Sequence, residues 1–367
     1  MDAAQGTGLS FAGQDIFVGM DVHLKSWTVS IYATFFEHKT FNQAPRPEVL
    51  IRYLHRTFPG ARYHCAYEAG YCGFWIYEAL IAAGINVVVT NPADVPTTDK
   101  ERTYKNNPVD ARKLARSLRS GELSPIYVPP RQALEDRNLV RTRRALVKKQ
   151  TRVKNQIKGL LAFYGVKLPE EKTGRYWSAP FIAWLSRLAC VGGDPSSMQY
   201  ESGALALRLY VEELQGLRSQ VLEVTRAIRR LACTELYRRR VELLLTLHGI
   251  GVLGAMIILT EIVDIHRFPG RDELACFVGL IPSTKDTGEK EYHENLTHRR
   301  SPQLRHILIE SAWVAARKDP RLMHDFHRLA SNMKKTEAII RIARKQLNRI
   351  RFVLKNEAPY VSLPLAA

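Results

Sequence analysis

Residues 15–22 have the sequence DIFVGMDV, an apolar run that ends close to an acid. Apolar side chains on both faces are typical of a central strand buried inside an α/β sheet. Residues 26–36, SWTVSIYATFF, are rich in β-branched and aromatic side chains and predict a second strand after a short turn. We therefore expect the chain to begin with a sheet and Asp21 to lie at the end of its central strand.

Strands and helices alternate along the rest of the first 129 residues. β-branched runs predict further strands at 61–68, 85–92 and, as a short closing strand, 123–130. Helical spacing of apolar residues predicts helices at 47–58, 74–84 and 108–121. Pro108 suits the first turn of the last helix and Gly121 suits its exit. The pattern predicts an α/β domain over residues 1–129.

The composition changes to a helical pattern at Arg131. Residues 131–165 predict one long helix, and its part 131–159 carries ten Lys or Arg against two acids, a local net charge of +8. Residues 165–200 lack a clear pattern, and 204–232 predict a second long amphipathic helix that packs back on the first. Apolar and basic helices follow at 243–262, 299–318 and 333–356. We expect an all-α helical hairpin region over 130–240 and a helical C-terminal domain over 241–367.

The bulk composition points to a polyanionic partner. The 367 residues carry a net charge of +18 and a pI near 9.8, so nucleic acid is the first expectation and an anionic membrane surface the second. No apolar run approaches the roughly 18 residues of a membrane helix, and no signal peptide is evident. Five cysteines without a CxxC pair fit a reducing cytoplasm.

Three acids are placed where a metal site would need them. Asp21 and Glu68 end predicted strands, and Asp110 lies in the first turn of a basic helix. Mg²⁺ prefers carboxylate oxygens and keeps water molecules that can attack phosphorus. The alternative is that these are three unrelated acids at the ends of elements. The spacing alone leaves both interpretations open.

Two glycine-containing turns in the last third of the chain are also ambiguous. Residues 248–251, HGIG, lie between two apolar helices, as in a helix-hairpin-helix whose amides approach phosphates, or as in a tight turn that needs glycine for steric reasons. Residues 279–291, GLIPSTKDTGEKE, fit either a surface turn or a loop that presents a nucleophilic hydroxyl.

Four segments, taken in order, resemble the signatures of one family. They are FVGMDVHLKSW (17–27), YEAG (67–70), NPADVPTTDKERTYKNNPVDARKLAR (91–116) and HGIGVLGAMIILTEIVDIHRFPGRDELACFVGLIPSTKDTGEKE (248–291). This chain is similar over about residues 16–330 to the insertion-sequence-110 transposases, relatives of the Piv DNA invertases. The resemblance implies a RuvC-like domain of the ribonuclease H fold, a coiled-coil hairpin, and a C-terminal transposase domain.

The resemblance also implies the chemistry. Members carry an Asp-Glu-Asp-Asp set that binds Mg²⁺ and a serine nucleophile followed by glycine, and in the RNA-guided members this serine becomes transiently linked to a DNA phosphate. They assemble as dimers or tetramers in a bacterial or archaeal cytoplasm, at the nucleoid. Some are guided to donor and target DNA by a structured non-coding (bridge) RNA from the element itself.

The family motif maps directly onto three residues and departs at two. Asp21, Glu68 and Asp110 match the first aspartate, the glutamate and the last aspartate. Asn107 stands where the family has the other aspartate, and it offers a neutral ligand only; Asp99 is a conceivable substitute. The serine position falls on Thr287, so the nucleophile implied here is a threonine. Ser283 and Ser301 do not fit the motif.

The expected nucleic-acid contacts lie on the long basic helix and beside the Thr287 segment. A solvated helix face normally interleaves acids with its bases, and this helix almost lacks them, which favours phosphate contact. The residues are Arg141, Arg143, Arg144, Lys148, Lys149, Arg152, Lys154, Lys158, Arg299, Arg300 and Arg305.

Three functions remain open from the sequence. The first is a Mg²⁺-dependent transposase that cleaves and rejoins DNA through the Thr287 hydroxyl. The second is a RuvC-like nuclease that hydrolyses DNA with water and needs no hydroxyl. The third is a catalytically weakened nucleic-acid-binding relic, which the departures at Asn107 and Thr287 favour.

Overall fold

The computed structural model describes residues 11–96, 106–168, 177–192, 198–287, 290–296 and 301–362, with the backbone alone described over 282–296. The chain forms two compact units, residues 1–128 and 129–367. The further division at residue 240 stays a prediction.

The first unit is built on a five-stranded mixed sheet. β1 pairs antiparallel with β2 and β2 with β3, whereas β4 and β5 run parallel to β1, giving the order β3-β2-β1-β4-β5. This mixed sheet with its helices fits a RuvC-like fold. The strands are β1 (Asp15–Val22), β2 (Trp27–Ala33), β3 (Glu37–Gln43), β4 (Arg62–Glu68) and β5 (Asn86–Thr90). The helices of this unit are α1 (Pro47–Thr57), α2 (Trp75–Ala82) and α3 (Asn107–Arg119).

The two faces of β1 are covered differently because its side chains alternate. Ile16, Val18 and Met20 are fully buried in a core shared with Leu50 of α1 and Ile76 of α2. The opposite face carries Gly19, and there α3 lies directly on the strand. A Cβ built on Gly19 would overlap the carbonyl oxygen of Ala111 and the amide nitrogen of Ala115, at less than 3.0 Å from each. Glycine is therefore required for this helix to approach the sheet.

Two expectations about strands in this unit are wrong. The edge strand β3, EHKTFNQ, was not anticipated, because every residue except Phe41 is polar or charged and β2 is its one neighbour in the described sheet. Residues 123–130, all of which the structure describes, form no strand, and an isolated bridge joins Pro125 to Thr90. Proline has no backbone N–H to donate to a ladder, and this segment contains three prolines.

Two long helices dominate the start of the second unit. α4 (Arg131–Phe163) and α6 (Glu201–Ala232) pack antiparallel, since Val140 shares a core with Ile228 and Leu161 shares another with Leu207. A supercoiled geometry for this pair stays a prediction. Between them lies a helix that was not anticipated, α5 (Ala179–Leu188), which begins at the capping residue Ser178.

The remaining helices surround one large apolar core. They are α7 (Arg238–Leu245), α8 (Val252–Ile262), α9 (Arg271–Val278), α10 (Pro302–Lys318), α11 (Pro320–Ala330) and α12 (Lys335–Asn356). The expectation of a purely helical region is wrong at one place, where β6 (Pro282–Thr287) and β7 (Lys290–Leu296) form an antiparallel hairpin. Polar residues dominate both strands, so their apolar pattern is too weak to indicate a sheet.

The Gly-Ile-Gly turn owes its first glycine to close packing. Gly249 has φ +85°, and an added Cβ would overlap the carbonyl oxygen of Ser311 in α10. Gly251 meets no described atom within 4 Å at the corresponding position. The steric explanation therefore holds for Gly249, because both its dihedral angle and its neighbour exclude a side chain.

Candidate active site and nucleic-acid interface

Asp21 and Glu68 lie beside each other at the carboxyl ends of two neighbouring strands. In the parallel register Gly19 pairs with Ala66 and Met20 with Tyr67. The next residues of the two strands are the two acids. Adjacent strands are about 4.8 Å apart, and positions paired in register point to the same face. Because Asp21 is two residues beyond Gly19, both carboxylates belong to the face on which α3 lies.

The first turn of α3 brings Asp110 to that same face. The Asn106 side chain accepts a hydrogen bond from the amide of Val109 at 2.9 Å and thereby caps the helix. Asp110 immediately precedes Ala111, whose carbonyl oxygen lies against Gly19. The Asp110 side chain retains only 15% of its exposure. Three acids from two strands and one helix therefore lie on the same face of the sheet, near the carboxyl ends of β1 and β4.

Two of these acids have basic partners close to them in the sequence. His23 Nε2 lies 3.1 Å from an Asp21 carboxylate oxygen, and the buried Lys113 Nζ lies 3.4 Å from Asp110 Oδ1. Sequence reasoning missed His23 and Lys113, although their spacing of two and three residues from the acids is visible in the sequence.

The three carboxylates are suitable ligands for a metal ion, but their side chains do not converge on one point in the structure. Within the part of the chain that the structure describes, no three His, Cys, Asp or Glu side chains converge into a metal-binding group. The donor chemistry of the three carboxylates fits a hard divalent cation, whereas their described side-chain positions do not form a closed site.

Asn107 is exposed at the first residue of α3. Its neighbour Asn106, which was not singled out from the sequence, makes the capping hydrogen bond. The tripeptide context Asn-Asn-Pro could have identified it, because asparagine is favoured at the N-cap and proline within the first turn. Asp99 lies outside the described residues.

Thr287 closes a strand of the β6–β7 hairpin. It is the last residue of β6 and pairs in register with Lys290. Gly288 lies outside the described residues, as does the side chain of Thr287. Ser283 belongs to the same strand. Thr287 therefore belongs to a paired strand, whereas the sequence led us to expect an irregular loop.

Ser301 has a structural role that the sequence did not reveal. Its hydroxyl accepts from the amide of Leu304 at 3.4 Å, as the cap of α10. It also donates to Glu261 Oε2 at 3.3 Å. Glu261 is nearly fully buried, and Arg141 of α4 binds it through two hydrogen bonds of 2.8 and 2.9 Å. The bidentate pair therefore joins α4 to α8, and the Ser301 hydroxyl connects the start of α10 to the same carboxylate.

The cations of α4 fall into two groups. The first group has partners inside the protein: Arg141 binds Glu261, Arg143 donates to Thr225 at 2.8 Å, and Lys154 lies over the Trp177 ring. Burial, together with the nearby Arg218 and Lys158, lowers the pKa of Lys154. The second group is exposed to solvent and consists of Lys148, Lys149, Arg152 and Lys158.

The remaining predicted contacts are only partly described. Arg144 is half-buried on α4 and Arg305 is half-buried on α10. Arg299 and Arg300 lie outside the described residues. The predicted contacts that are open to solvent and lack the internal partners of the first group are therefore Lys148, Lys149, Arg152 and Lys158 of α4.

Comparison with known proteins finds two matching family domains in the chain. Residues 18–166 match a DEDD-type IS110 transposase model, described as Transposase, and residues 241–328 match the Transposase IS116/IS110/IS902 family. The chain carries two domains of the IS110/IS116 transposase family. The first match contains the three acids of the first unit, and the second contains the β6–β7 hairpin and α10.

Individual relatives of this chain share about a quarter of its residues. A Sinorhizobium fredii protein named as a transposase, y4rJ, is 28% identical over 69% of this chain and 65% of its own length. A second from that organism, y4qE, is 27% identical over 69% of this chain and 58% of its own length. The transposase for insertion sequence element IS1533 of Leptospira borgpetersenii is 26% identical over 81% of this chain and 84% of its own length. The chain thus spans less than two thirds of the first two relatives.

No helix among the described residues is both long enough and apolar enough to cross a membrane.

Proposed function

We propose that this chain is a DNA transposase that cleaves and rejoins strands at the ends of an insertion sequence. The observation that carries the proposal is the register of β1 and β4, which brings Asp21 and Glu68 together on the face that α3 covers. The family matches support it, since both matched segments are transposase domains.

Asp21, Glu68 and Asp110 are the residues that would hold Mg²⁺, with Asn107 near the same helix terminus as a neutral oxygen donor. When bound, the ion would neutralise charge that develops on a phosphate and polarise an attacking oxygen. Carboxylates suit this role because they are the hard oxygen ligands that Mg²⁺ prefers. Lys113 and His23, as the present partners of two of these acids, would keep them oriented within reach of the sheet edge.

Thr287 is the proposed nucleophile. Its Oγ attacks a DNA phosphorus, a new oxygen–phosphorus bond forms, and the bond to the leaving deoxyribose oxygen breaks. The hydroxyl loses its proton in this step and the leaving oxygen gains one. Rejoining reverses the sequence with a deoxyribose oxygen from the other DNA strand. The extra methyl group of threonine crowds this attack, so serine at the position is expected to react faster.

The proposed partners are donor and target DNA, a structured guide RNA and further copies of this chain. The exposed cations of α4 support nucleic-acid binding, because the helix carries no acid after Asp136 to offset them. Leu205 and Leu209 support assembly into a homodimer or homotetramer. They are about half exposed and one turn apart on α6, and exposed apolar patches mark interaction surfaces.

The test is formation of a covalent protein–DNA adduct. The full chain is incubated with Mg²⁺, its own element's end sequences and RNA transcribed from the element's flanks, and adducts are separated under denaturing conditions. We expect an adduct that Thr287→Ala and Asp21→Asn each abolish and that Thr287→Ser preserves. Ser283→Ala is the matched control, because it removes a hydroxyl from the same strand, and it should leave the adduct unchanged.

The other outcomes separate the competing functions. DNA cleavage without an adduct, unaffected by Thr287→Ala, would identify a hydrolytic nuclease. An inert chain that gains recombination when Asn107→Asp and Thr287→Ser are combined would identify a weakened relic.

A further inference from the structure

A cavity of about 450 Å³ opens in the second unit between α4, α6, α8 and α10. Its size falls within the roughly 300–1,000 Å³ of small-molecule sites. We define the basic pocket as this cavity. Its α4 lining runs from Val140 to Lys148, the stretch that also contains Arg141, and none of the three acids of the first unit belongs to its described lining.

The floor of the basic pocket is aliphatic. Val140 and Ile228 are almost fully buried there, and Leu253, Ile257 and Ile307 complete it. Such a surface accepts a flat, weakly hydrated group, because covering it removes apolar area from water. An ion alone would gain nothing from it.

The mouth of the basic pocket is cationic. Arg143, Arg144 and Lys148 of α4 and His306 of α10 line it, without a carboxylate among the described lining residues. Lys148 and His306 are exposed, and Arg144 is half-buried. A ligand that enters must therefore combine an apolar body with negative charge at its rim.

A buried amide in the wall adds a specific requirement. Gln303 is only 6% exposed and lines the pocket. Its amide is part of the cavity wall, and its polar atoms are not among the enclosed side-chain atoms of the described residues that lack a hydrogen-bond partner. A ligand that displaces water from this wall must replace the hydrogen bonds that water makes to the amide, because a buried polar group left without them costs free energy. The occupant must therefore carry a hydrogen-bonding edge.

We propose that the basic pocket receives one unstacked nucleotide of a bound single strand, with its base on the aliphatic floor against Gln303 and its phosphates on the cations of α4. A base has a flat apolar face, a polar edge and a phosphate on either side, which are the three properties that the pocket selects. The Gln303 amide presents a donor and an acceptor together, and this pattern matches the edge of adenine. The inference rests on the proposed nucleic-acid function and adds a position at which one base is taken out of the strand.

The experiment compares two oligonucleotides with equal charge. Fluorescence anisotropy measures binding of the full chain to a twelve-nucleotide adenine strand and to an abasic strand of the same length, each as DNA and as RNA. We expect the adenine strand to bind about tenfold more tightly than the abasic strand. The DNA and RNA arms identify which nucleic acid supplies the nucleotide.

Three variants locate the effect. Gln303→Leu keeps the volume and removes the amide, and Val147→Met places a flexible side chain into the cavity. Each should reduce the ratio between the two oligonucleotides to below about threefold. Lys149→Ala, on the same helix but not among the pocket residues, should weaken both oligonucleotides equally and keep the ratio. Circular dichroism and the midpoint of thermal unfolding verify that each variant is folded.

The outcomes distinguish this inference from the proposed function. If the unchanged chain binds both oligonucleotides with equal affinity, or if Gln303→Leu and Val147→Met leave the ratio unchanged, no base enters the pocket and the inference fails. This includes the case in which a second copy of the chain fills the cavity. If neither oligonucleotide binds at all, the nucleic-acid function itself fails.

Discussion

At the scale of single residues, the candidate active site depends on Gly19, a residue without a side chain. Gly19 lets α3 approach β1, and Asp21, two residues further, places its carboxylate on the same face. The helix that the glycine admits is also the one that carries Asp110. One residue thus sets the distance between the sheet and the third acid.

Replacing Gly19 by alanine should destabilise the first unit. The new Cβ would overlap the backbone of Ala111 and Ala115, which cannot move without shifting α3. Overpacking of this kind costs roughly 1–3 kcal/mol. Urea unfolding would measure it, with Gly70→Ala as the control because no described atom lies within 4 Å of the corresponding Cβ. Equal midpoints for the two variants would contradict the packing described for Gly19.

Asp15, at the opposite end of β1, should make the protein acid-sensitive. Hydrogen bonds from Arg62 and His64 lower the pKa of Asp15 from 3.8 to about 2. Since the folded-state pKa is the lower one, the stabilisation is present above pH 3.8 and is lost as the pH falls towards 2. The difference in unfolding free energy between the unchanged chain and Asp15→Asn should therefore shrink over that range. A difference that stays constant from pH 5 to pH 2 would rule out this linkage.

At the scale of elements, α4 serves two purposes along one sequence. Its exposed cations point to solvent, while Arg141 neutralises the buried Glu261 and joins the helix to α8. The net charge of the helix does not show which cation has which role. The role depends on partners from other elements, and Glu261 lies 120 residues from Arg141 in the sequence.

Removing the Arg141 side chain should therefore lower the free energy of unfolding, because Arg141 binds Glu261 inside the protein. Arg141→Ala leaves a buried carboxylate without its bidentate partner, which costs about 3–5 kcal/mol for fully buried pairs. Because Arg141 is half exposed, we expect about 2 kcal/mol from urea unfolding. Lys149→Ala should change the unfolding free energy by less than about 0.5 kcal/mol.

A double-mutant cycle isolates this pair. Combining Arg141→Ala with Glu261→Gln should recover part of the loss, since the buried charge is then gone. If the two substitutions are simply additive, the ion pair does not contribute as the geometry indicates.

At the scale of the whole molecule, the charge of +18 should appear in the salt dependence of binding. Each phosphate contact contributes about 0.9 to the slope of log affinity against log salt on duplex DNA. Replacing Lys149, Arg152 and Lys158 of α4 together by alanine should reduce the slope by about 2 to 3. Replacing Lys318, Lys334 and Lys335 removes the same charge from exposed positions outside α4 and should change the slope less. Equal slopes for both variants would show that the interface is not on α4.

Strong periodic patterns made most elements predictable, and weak ones were missed for identifiable reasons. β1 and α4 follow from long apolar and amphipathic patterns. β3 and the strands of the β6–β7 hairpin are polar, so they form through pairing with a neighbouring strand and lack a recognisable apolar pattern. Among the site residues, the acids were visible at element ends, whereas the Arg141–Glu261 pair was not, because no local pattern reports a contact across 120 residues.

The sequence by itself determined the central strand, its terminal acid, the positive charge of the long helix and the order of the family motifs. Local hydrophobic patterning and side-chain chemistry are enough for these properties. Only the tertiary structure decided which acids share a face, which cations are neutralised internally and that Gln303 lines a cavity. Those properties depend on strand register and on packing between elements distant in the chain, which the side chains of many elements determine together.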